Sequence, residues 1–252
     1  MIKLKEIKYN YDDTIALNSI SLEIKPKERI VLLGNNGSGK STLLKLLAGL
    51  IFSKDGEYLF NNKKITKKYL KKEAKSFRKE LAILFQNPDT MLFNDSVRSE
   101  IEFSLMQFDI EKDIVKLAKK FDIEKLLDRN PLKLSGGEKQ KVALCAIFAI
   151  EPTILLLDEP MANLDPKSTG WLIDFLYEQR DLTTIISTHN LSLALELGDR
   201  AIVIDSSHKI IYDGDIKELF KNREILLQAN LMHQHKHKHQ DTFHTHFHIH
   251  DW

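Results

Sequence analysis

Short runs of aliphatic and β-branched residues alternate with longer amphipathic segments along most of the chain. Such runs predict buried strands, whereas apolar residues spaced three or four apart predict helices. The predicted strands are residues 2–9, 20–24, 30–33, 57–60, 81–85, 154–157, 184–187, 201–204 and 209–212. The predicted helices are residues 40–50, 101–121, 142–150 and a segment around 172–176. This alternation predicts an α/β fold with a mostly parallel core sheet.

Composition and charge restrict the class of protein. A chain of 252 residues suits one large domain, or one domain with a small appendage. The net charge of +1 creates no strong field toward nucleic acid or membrane. The single cysteine, Cys145, excludes an internal disulfide and suits a reducing compartment. The N-terminus lacks a signal-peptide core, and Glu151 and Pro152 interrupt the longest apolar stretch. We therefore expect a soluble chain that acts on a membrane only through a partner.

A glycine-rich loop follows the strand at residues 30–33 and opens a helix. It fits the pattern G-x-x-x-x-G-K-[ST] at every fixed position. The segment consists of Gly34, Asn35, Asn36, Gly37, Ser38, Gly39, Lys40, Ser41 and Thr42. Glycines let successive N–H groups face phosphate oxygens, and the helix N-terminus adds positive charge. Lys40 is predicted to reach the β- and γ-phosphates, and Ser41 to ligand Mg²⁺. The alternative, a plain strand–helix turn, is disfavoured by the flanking elements.

Two carboxylates end the strand at residues 154–157. Ligands of open α/β sheets lie at the C-terminal ends of the strands, which is where Asp158 and Glu159 follow. Asp158 is predicted to hold Mg²⁺, and Glu159 to orient or deprotonate the attacking water. Without the glycine-rich loop, a solvated acidic turn would be at least as good an interpretation.

Ser135, Gly136, Gly137 and Glu138 precede the apolar helix predicted from Val142. A serine followed three residues later by glutamate predicts a capping box. Glycine disfavours helix, so two glycines in a first turn need another reason. They leave backbone amides uncovered, which favours an anion site; a flexible N-cap is the alternative.

Together these segments resemble the ATP-binding-cassette (ABC) ATPases over residues 1 to about 220. LSGGE at residues 134–138 resembles the family's signature motif. The glycine-rich loop at residues 34–42 resembles its Walker A motif, and ILLLDEP resembles its Walker B motif. Gln86 matches the Q-loop glutamine, which the resemblance implies is a further Mg²⁺ ligand. His189 matches the switch histidine. Tyr11 is placed like the aromatic residue that stacks on adenine, and residues 163–166 resemble the D-loop. Glu138 and Asn163 depart from the commonest residues of their motifs.

The resemblance implies a P-loop NTPase fold with an N-terminal antiparallel β subdomain and a helical subdomain at about residues 87–150. Residues 1–220 would form the cassette and 221–252 a C-terminal extension. It also implies ATP and Mg²⁺ as cofactors, with Lys40, Gln86, Glu159 and His189 catalytic. Two copies, or this chain and a paralogue, would close on two ATP molecules. Ser135, Gly136 and Gly137 of one chain would then serve the nucleotide of the other.

The stretch FQNPDTMLF at residues 85–93 resembles the energy-coupling-factor ATPases of vitamin and cobalt/nickel importers. Thr90 and Met91 stand where those ATPases usually carry Asp and Gln. The resemblance implies integral membrane coupling and substrate-binding partners, with a coupling helix docked on residues 86–108. It also implies a location at the cytoplasmic face of the membrane. A soluble ABC protein of DNA repair or translation is disfavoured, because the long insertions and second cassette of that class are absent.

Eight of the ten histidines lie in the last twenty residues. They are His233, His235, His237, His239, His244, His246, His248 and His250. Alternation places each set of four on one side of an extended chain, and imidazole suits Ni²⁺, Co²⁺, Zn²⁺ and Cu²⁺. An expression tag is the alternative, but Lys, Gln, Thr and Phe interrupt the histidines. Nickel or cobalt is therefore the first expected cargo; zinc, a vitamin or an amino acid remain alternatives. The segment lacks a helical or strand core, so we expect no packed structure there.

Overall fold

A computed structural model describes residues 1–162, 164–239 and 242–249, with only the backbone considered beyond Met232. Six strands form the central sheet in the order β10-β9-β3-β8-β7-β6. They are β3 (Arg29–Leu33), β6 (Leu81–Leu84), β7 (Ile154–Asp158), β8 (Thr183–Thr188), β9 (Arg200–Ile204) and β10 (Ile210–Asp215). Only β10 runs antiparallel to its neighbour. The predicted mostly parallel core sheet is therefore confirmed.

A second, antiparallel sheet precedes and flanks the central one in the order β2-β1-β4-β5. Its strands are β1 (Ile2–Tyr11), β2 (Thr14–Ile24), β4 (Asp55–Phe60) and β5 (Lys63–Lys64). β2 begins six residues before the predicted start at Ile20, because its pairing with β1 continues to Thr14, opposite Tyr11. This is the antiparallel β subdomain that the family resemblance implied.

Helices cover the central sheet, and the apolar side chains form two buried clusters. Along β7, Leu155 and Leu157 belong to one cluster, while Ile154 and Leu156 belong to the other. Strands buried on both faces therefore read as continuous apolar runs, with successive residues facing opposite sides. Cys145 is buried, and burial raises the pKa of its thiol to about 12.

The predicted helical segment at residues 101–121 is divided into two helices, residues 97–107 and 114–120, and the helices at residues 67–80, 191–197, 216–221 and 223–228 lie outside the four predicted helical segments. The other predicted helices differ mainly at their ends. The helices are α1 (Lys40–Leu47), α2 (Lys67–Glu80), α3 (Val97–Gln107), α4 (Ile114–Lys120), α5 (Gly136–Phe148), α6 (Pro166–Glu178), α7 (Leu191–Leu197), α8 (Ile216–Lys221) and α9 (Arg223–Gln228). α1 stops before Leu50 because Gly49 takes a left-handed φ of 67°. α5 starts at Gly136, since Ser135 and Glu138 form the predicted capping box. Leu226 and Leu231 are buried in the same apolar cluster as Leu155 and Leu157, so the packed core continues past residue 220.

The C-terminal segment forms a two-stranded antiparallel hairpin of β11 (Met232–His239) and β12 (Thr242–Ile249). We expected no packed structure there, and the described backbone pairs as a two-stranded sheet separate from the other two sheets. Cross-strand backbone hydrogen bonding does not require an apolar core, so hydrophobicity alone did not reveal the pairing. His250 lies outside the described residues.

Across the described ranges, none of the helices is both long and apolar enough to cross a membrane.

Candidate active site

A cavity of about 380 Å³ opens where the C-terminal ends of the central strands meet the antiparallel sheet. It is lined by Tyr11, Thr14, Ile15, Ala16, Asn36, Gly37, Gly39, Lys40, Ser41, Thr42, Gln86, Glu159, His189 and His208. Residues widely separated in sequence therefore meet here, and most of them are predicted site residues. Tyr11 is exposed and makes an edge-to-face contact with Tyr9 at 5.0 Å between ring centroids.

The loop between β3 and α1 has the backbone shape that phosphate binding requires. Gly39 immediately precedes α1 with φ 109°, and a Cβ there would collide with the carbonyl of Ala16. Only glycine fits this position without strain. The hydroxyl of Ser38 is buried and has no hydrogen-bond partner in the described part of the chain. A curled loop at a helix N-terminus and an unsatisfied buried hydroxyl both suit a bound anion.

Lys40 is the buried cation of the loop, with 5% of its surface exposed. Its Nζ donates to the carbonyl oxygens of Gly34 at 2.6 Å and Asn35 at 3.1 Å. It also lies 3.7 Å from Oε1 of Glu159. Burial lowers the pKa of Lys40, and the charges of Glu159 and Asp158 oppose that shift. A phosphate would replace these carbonyl partners with a full negative charge.

Asp158, at the end of β7, contacts the first turn of α1 and the neighbouring strand β8. Its Oδ1 accepts hydrogen bonds from the hydroxyls of Ser41 at 2.9 Å and Ser187 at 2.7 Å. Asp158 is buried and does not line the cavity directly. A carboxylate and a hydroxyl held within hydrogen-bonding distance are suitable oxygen ligands for Mg²⁺, directly or through water. The residues present therefore fit that ion.

Glu159 occupies a strained position at the floor of the cavity. Its φ is 45°, a left-handed value that non-glycine residues adopt rarely and mostly at functional sites. Oε2 lies 3.1 Å from Nδ1 of His189, on the loop after β8. Oε1 is buried and, within the described ranges, has no hydrogen-bond partner. A preorganised carboxylate with one oxygen that forms no hydrogen bond is suited to accept a proton from water.

The segment Ser135–Gly137 does not reach this cavity within one chain: none of its residues is among the described cavity-lining ones. The Ser135 hydroxyl instead donates to Oε2 of Glu138 at 2.7 Å. Its backbone N–H donates to the same oxygen at 2.8 Å. Hydrogen bonds from Ser135 lower the pKa of Glu138, so the carboxylate is the stable form of this cap. Ser135 is exposed. To donate its hydroxyl hydrogen to a phosphate, it must first break the hydrogen bond to Glu138.

The Q-loop region is tied to the signature helix by an ion pair. Gln86 is exposed and lines the cavity just after β6. Three residues later, Asp89 lies 2.8 Å from Nζ of Lys139 on α5. Gln140 on the same helix donates to the carbonyl oxygen of Pro160 at 3.1 Å. These contacts connect the loop and the signature helix to the strand end that carries Glu159.

Of the D-loop, Asp165 caps α6 through the N–H groups of Lys167 and Ser168, each at 3.0 Å. Asn163 lies outside the described residues. The glycine pair and the D-loop meet at Ser168, because a Cβ on Gly137 would collide with its hydroxyl. A larger residue at Gly137 would therefore disturb the start of α6.

Sequence reasoning missed several residues of the site: Thr14, Ile15 and Ala16 line the cavity beside Tyr11, and Ser187 and His208 are polar residues of the site. Ser187 is fully buried, and its hydroxyl accepts from the N–H of Glu159 at 2.9 Å while donating to Asp158. It thus orients both carboxylates. Its position at the end of an apolar strand, two residues before His189, was the available signal. His208 lines the cavity from the β9–β10 turn, and no sequence motif marked it.

The sequence model of the ABC transporter family matches residues 17–162. This chain is an ABC transporter ATP-binding protein. It is therefore an ATPase, and the strand order, the glycine-rich loop and the cavity are those of the family's nucleotide-binding fold.

Individual relatives cover nearly the whole chain. A protein of Caldanaerobacter subterraneus subsp. tengcongensis, provisionally named as an ABC transporter ATP-binding protein, is 44% identical over 92% of this chain and 99% of its own length. The energy-coupling factor transporter ATP-binding protein EcfA of Methanothermobacter thermautotrophicus is 34% identical over 92% of this chain and 76% of its own.

Among solved structures, CbiO1 of Clostridium perfringens, described as part of the ABC transporter complex CbiONQ, superposes with a TM-score of 0.77. The identity is 34%, over 91% of this chain and 94% of that one. The ABC ATPase therefore resembles proteins of the energy-coupling-factor and CbiO type in both sequence and fold.

Proposed function

We propose that this ABC ATPase powers an energy-coupling-factor-type importer of nickel or cobalt at the cytoplasmic face of the membrane. Similarity to EcfA and CbiO1 supports the transporter type. The observation that carries the cargo is the C-terminal hairpin, where histidine-bearing positions oppose one another.

In this proposal the cavity binds ATP, with Tyr11 against adenine and the loop from Gly34 to Thr42 around the phosphates. Lys40 pairs with the β- and γ-phosphates. Ser41, Asp158 and Gln86 hold Mg²⁺, which neutralises charge on the phosphates. The geometry supports these roles because Ser41 and Asp158 are already hydrogen-bonded and Gln86 lines the same cavity.

Glu159 then acts on the water through Oε1, which has no hydrogen-bond partner within the described ranges and lies 3.7 Å from Nζ of Lys40. His189 holds the other oxygen at 3.1 Å and fixes the orientation of the carboxylate. Ser187 fixes the backbone N–H of Glu159 at 2.9 Å. These two contacts hold the carboxylate in place and leave Oε1 without a hydrogen bond within the described ranges, so that it can accept a proton as a general base does.

A second chain completes each nucleotide site in this proposal. Ser135, Gly136 and Gly137 lie at an exposed helix N-terminus that, as described, does not line the cavity of its own chain. Such a terminus attracts anions when a partner presents its bound phosphates. The partner is a second copy or a paralogue with an equivalent loop.

The membrane partner docks on the coupling surface, which we define as residues 86–108. Phe93 is 64% and Met106 66% exposed there, and Phe93 packs edge-to-face on Phe103 at 5.0 Å. Buried Glu100 accepts hydrogen bonds from the backbone N–H groups of Phe93 and Asn94, which fixes the loop that presents the aromatic ring. Exposed, rigidly held apolar side chains suit the apolar face of a helix.

The C-terminal hairpin supports metal binding through its register. His233 lies opposite His248, His235 opposite His246, and His237 opposite His244. Directly opposed residues of an antiparallel pair are close enough to interact. Each such rung pairs two histidine positions, and imidazole is a ligand that suits Ni²⁺ or Co²⁺. The hairpin would concentrate the ion beside the transporter.

The direct test is to co-express the chain with its membrane partners and measure uptake of radioactive Ni²⁺ and Co²⁺ into cells. We expect the partners to co-purify with the chain and uptake to require ATP hydrolysis. A Glu159→Gln complex serves as the inactive control. Uptake of a vitamin or an amino acid, with no metal uptake, would contradict the proposed cargo while leaving the ATPase assignment intact.

Removal of residues 233–252 should abolish tight binding of Ni²⁺ and Co²⁺ and leave the ATPase rate within about twofold of wild type. The truncation keeps Leu231, which is buried in the core. Calorimetry with each metal compares full-length and truncated chains. A Lys236→Gln/Lys238→Gln variant is the control, since it alters the hairpin and keeps every histidine.

Imidazole must be neutral to ligate a metal, so the affinity for Ni²⁺ and Co²⁺ should fall as the pH is lowered from about 7.5 to about 5.5.

Equal metal binding by the full-length and truncated chains would place the metal site outside residues 233–252. Loss of ATP hydrolysis on truncation would show that the hairpin and the cassette are not separable.

A further inference from the structure

His208 lies in the turn between β9 and β10 and lines the same cavity as Tyr11 and the phosphate loop. Its φ is 61°, in the left-handed region where glycine is the usual residue. Histidine tolerates this region better than most residues, yet it pays a steric cost there that glycine does not. Strained positions persist mainly where the side chain has a use.

The turn is fixed from three sides. Asp205 accepts hydrogen bonds from the N–H and the hydroxyl of Ser207, at 3.0 and 2.6 Å. Burial alone would raise the pKa of Asp205, but hydrogen bonds from Ser207 and Lys209 lower it, which keeps the carboxylate charged. The carbonyl oxygen of His208 accepts from the N–H of Asn18 on β2 at 2.9 Å. These hydrogen bonds fix the backbone of the turn that carries the imidazole.

One ring nitrogen is already committed to the phosphate loop. Nδ1 of His208 lies 3.1 Å from the carbonyl oxygen of Ser38. A carbonyl oxygen only accepts, so Nδ1 carries the hydrogen and donates. In the neutral ring Nε2 is then an acceptor, and within the described ranges it has no hydrogen-bond partner.

The chemistry of Nε2 selects the part of the nucleotide that it can contact. Phosphate oxygens accept hydrogen bonds and give a neutral Nε2 nothing to accept. The ribose hydroxyls donate, and the ribose lies between the base and the phosphates. The ring is anchored to the phosphate loop at Ser38, and the cavity wall continues from there to Tyr11. A nucleotide that spans these two points passes its sugar along His208.

We infer that His208 is a nucleotide-contacting residue whose Nε2 accepts a hydrogen bond from a ribose hydroxyl. The inference rests on the proposed placement of the nucleotide in this cavity. It makes the chain selective for ribonucleotides over deoxyribonucleotides, a property that the sequence motifs do not encode. It also explains why the turn carries an imidazole where glycine would be unstrained.

Binding of ADP, 2′-deoxy-ADP and 3′-deoxy-ADP to the full chain, measured by calorimetry with Mg²⁺, tests the inference without hydrolysis. We expect the wild type to bind ADP about 3- to 10-fold more tightly than at least one deoxy analogue. His208→Gly removes the ring and suits the left-handed backbone, so the variant should fold. It should bind ADP about 3- to 10-fold more weakly than wild type and lose the discrimination.

Ser206→Ala, at an exposed position in the same turn, is the matched control and should bind all three nucleotides as the wild type does. A purely structural role for His208 predicts the opposite pattern: His208→Gly with unchanged ADP affinity and an equal or higher melting temperature. That pattern, or a wild type that binds all three nucleotides equally, would overturn the inference. Absence of any ADP binding by the wild type would instead overturn the nucleotide site as a whole.

Discussion

Glu159→Gln should reduce steady-state ATP hydrolysis by at least about 100-fold while ATP still binds. The amide has the shape of the carboxylate and can keep the contact to His189, but it cannot accept a proton from water. Lys40 retains its carbonyl partners at Gly34 and Asn35, so the phosphate loop is preserved. Hydrolysis is measured by phosphate release, and binding by calorimetry with ATP.

Because the nucleotide is retained, the same variant should accumulate the ATP-bound dimer. Light scattering is expected to show an increase from the 29.2 kDa monomer to twice that mass on addition of MgATP. Glu178→Gln, an exposed position on α6, is the control and should hydrolyse ATP at the wild-type rate. Near-normal turnover of Glu159→Gln would refute the role of Glu159. A trapped monomer would favour a paralogous partner over a second copy.

The parts of the site that were predictable are those where backbone geometry restricts residue type. The loop between β3 and α1 needs glycine at position 39 because its φ is 109°, in the left-handed region. Asp158 and Glu159 were found because acidic residues end a fully buried strand. Constraints of this kind act within a few residues, so they are visible in sequence.

Helix and strand ends were less predictable because tertiary contacts decide them. The helix predicted from Val142 begins at Gly136, where reciprocal hydrogen bonds between Ser135 and Glu138 outweigh the low helix propensity of two glycines. β2 begins at Thr14 rather than Ile20, since pairing with β1 continues through polar residues. Apolar periodicity reports burial, and it underestimates elements whose ends are polar.

Residues that act through long-range contacts could not be identified from sequence alone. Ser187 matters because β7 and β8 are neighbours, which places its hydroxyl 2.7 Å from Asp158. His208 enters the site only because the β9–β10 turn packs on the phosphate loop. Both depend on strand order, which the local pattern does not specify. The C-terminal hairpin likewise depends on a register that composition does not determine.

Lys40→Ala should fail at an earlier step than Glu159→Gln, at nucleotide binding itself. The ammonium is the buried cation of the loop, and in the variant the phosphates lose a charged hydrogen-bond donor in a partly desolvated site. Such a bond is worth about 1.5–3 kcal/mol, which corresponds to an affinity loss of about 10- to 150-fold. Calorimetry with ADP and ATP measures the loss directly.

Lys45→Ala, a lysine on the same helix that the structure does not place on the cavity, is the matched control for Lys40→Ala. It should retain wild-type affinity. Lys40→Ala also leaves the carbonyl oxygens of Gly34 and Asn35 without their donor, so its melting temperature must be recorded alongside. If the variant melts as the wild type does and binds ATP with equal affinity, Lys40 does not contact the phosphates. If it folds and binds weakly, while Lys45→Ala binds normally, the loss belongs to the ammonium, because helix α1 is the same in both variants.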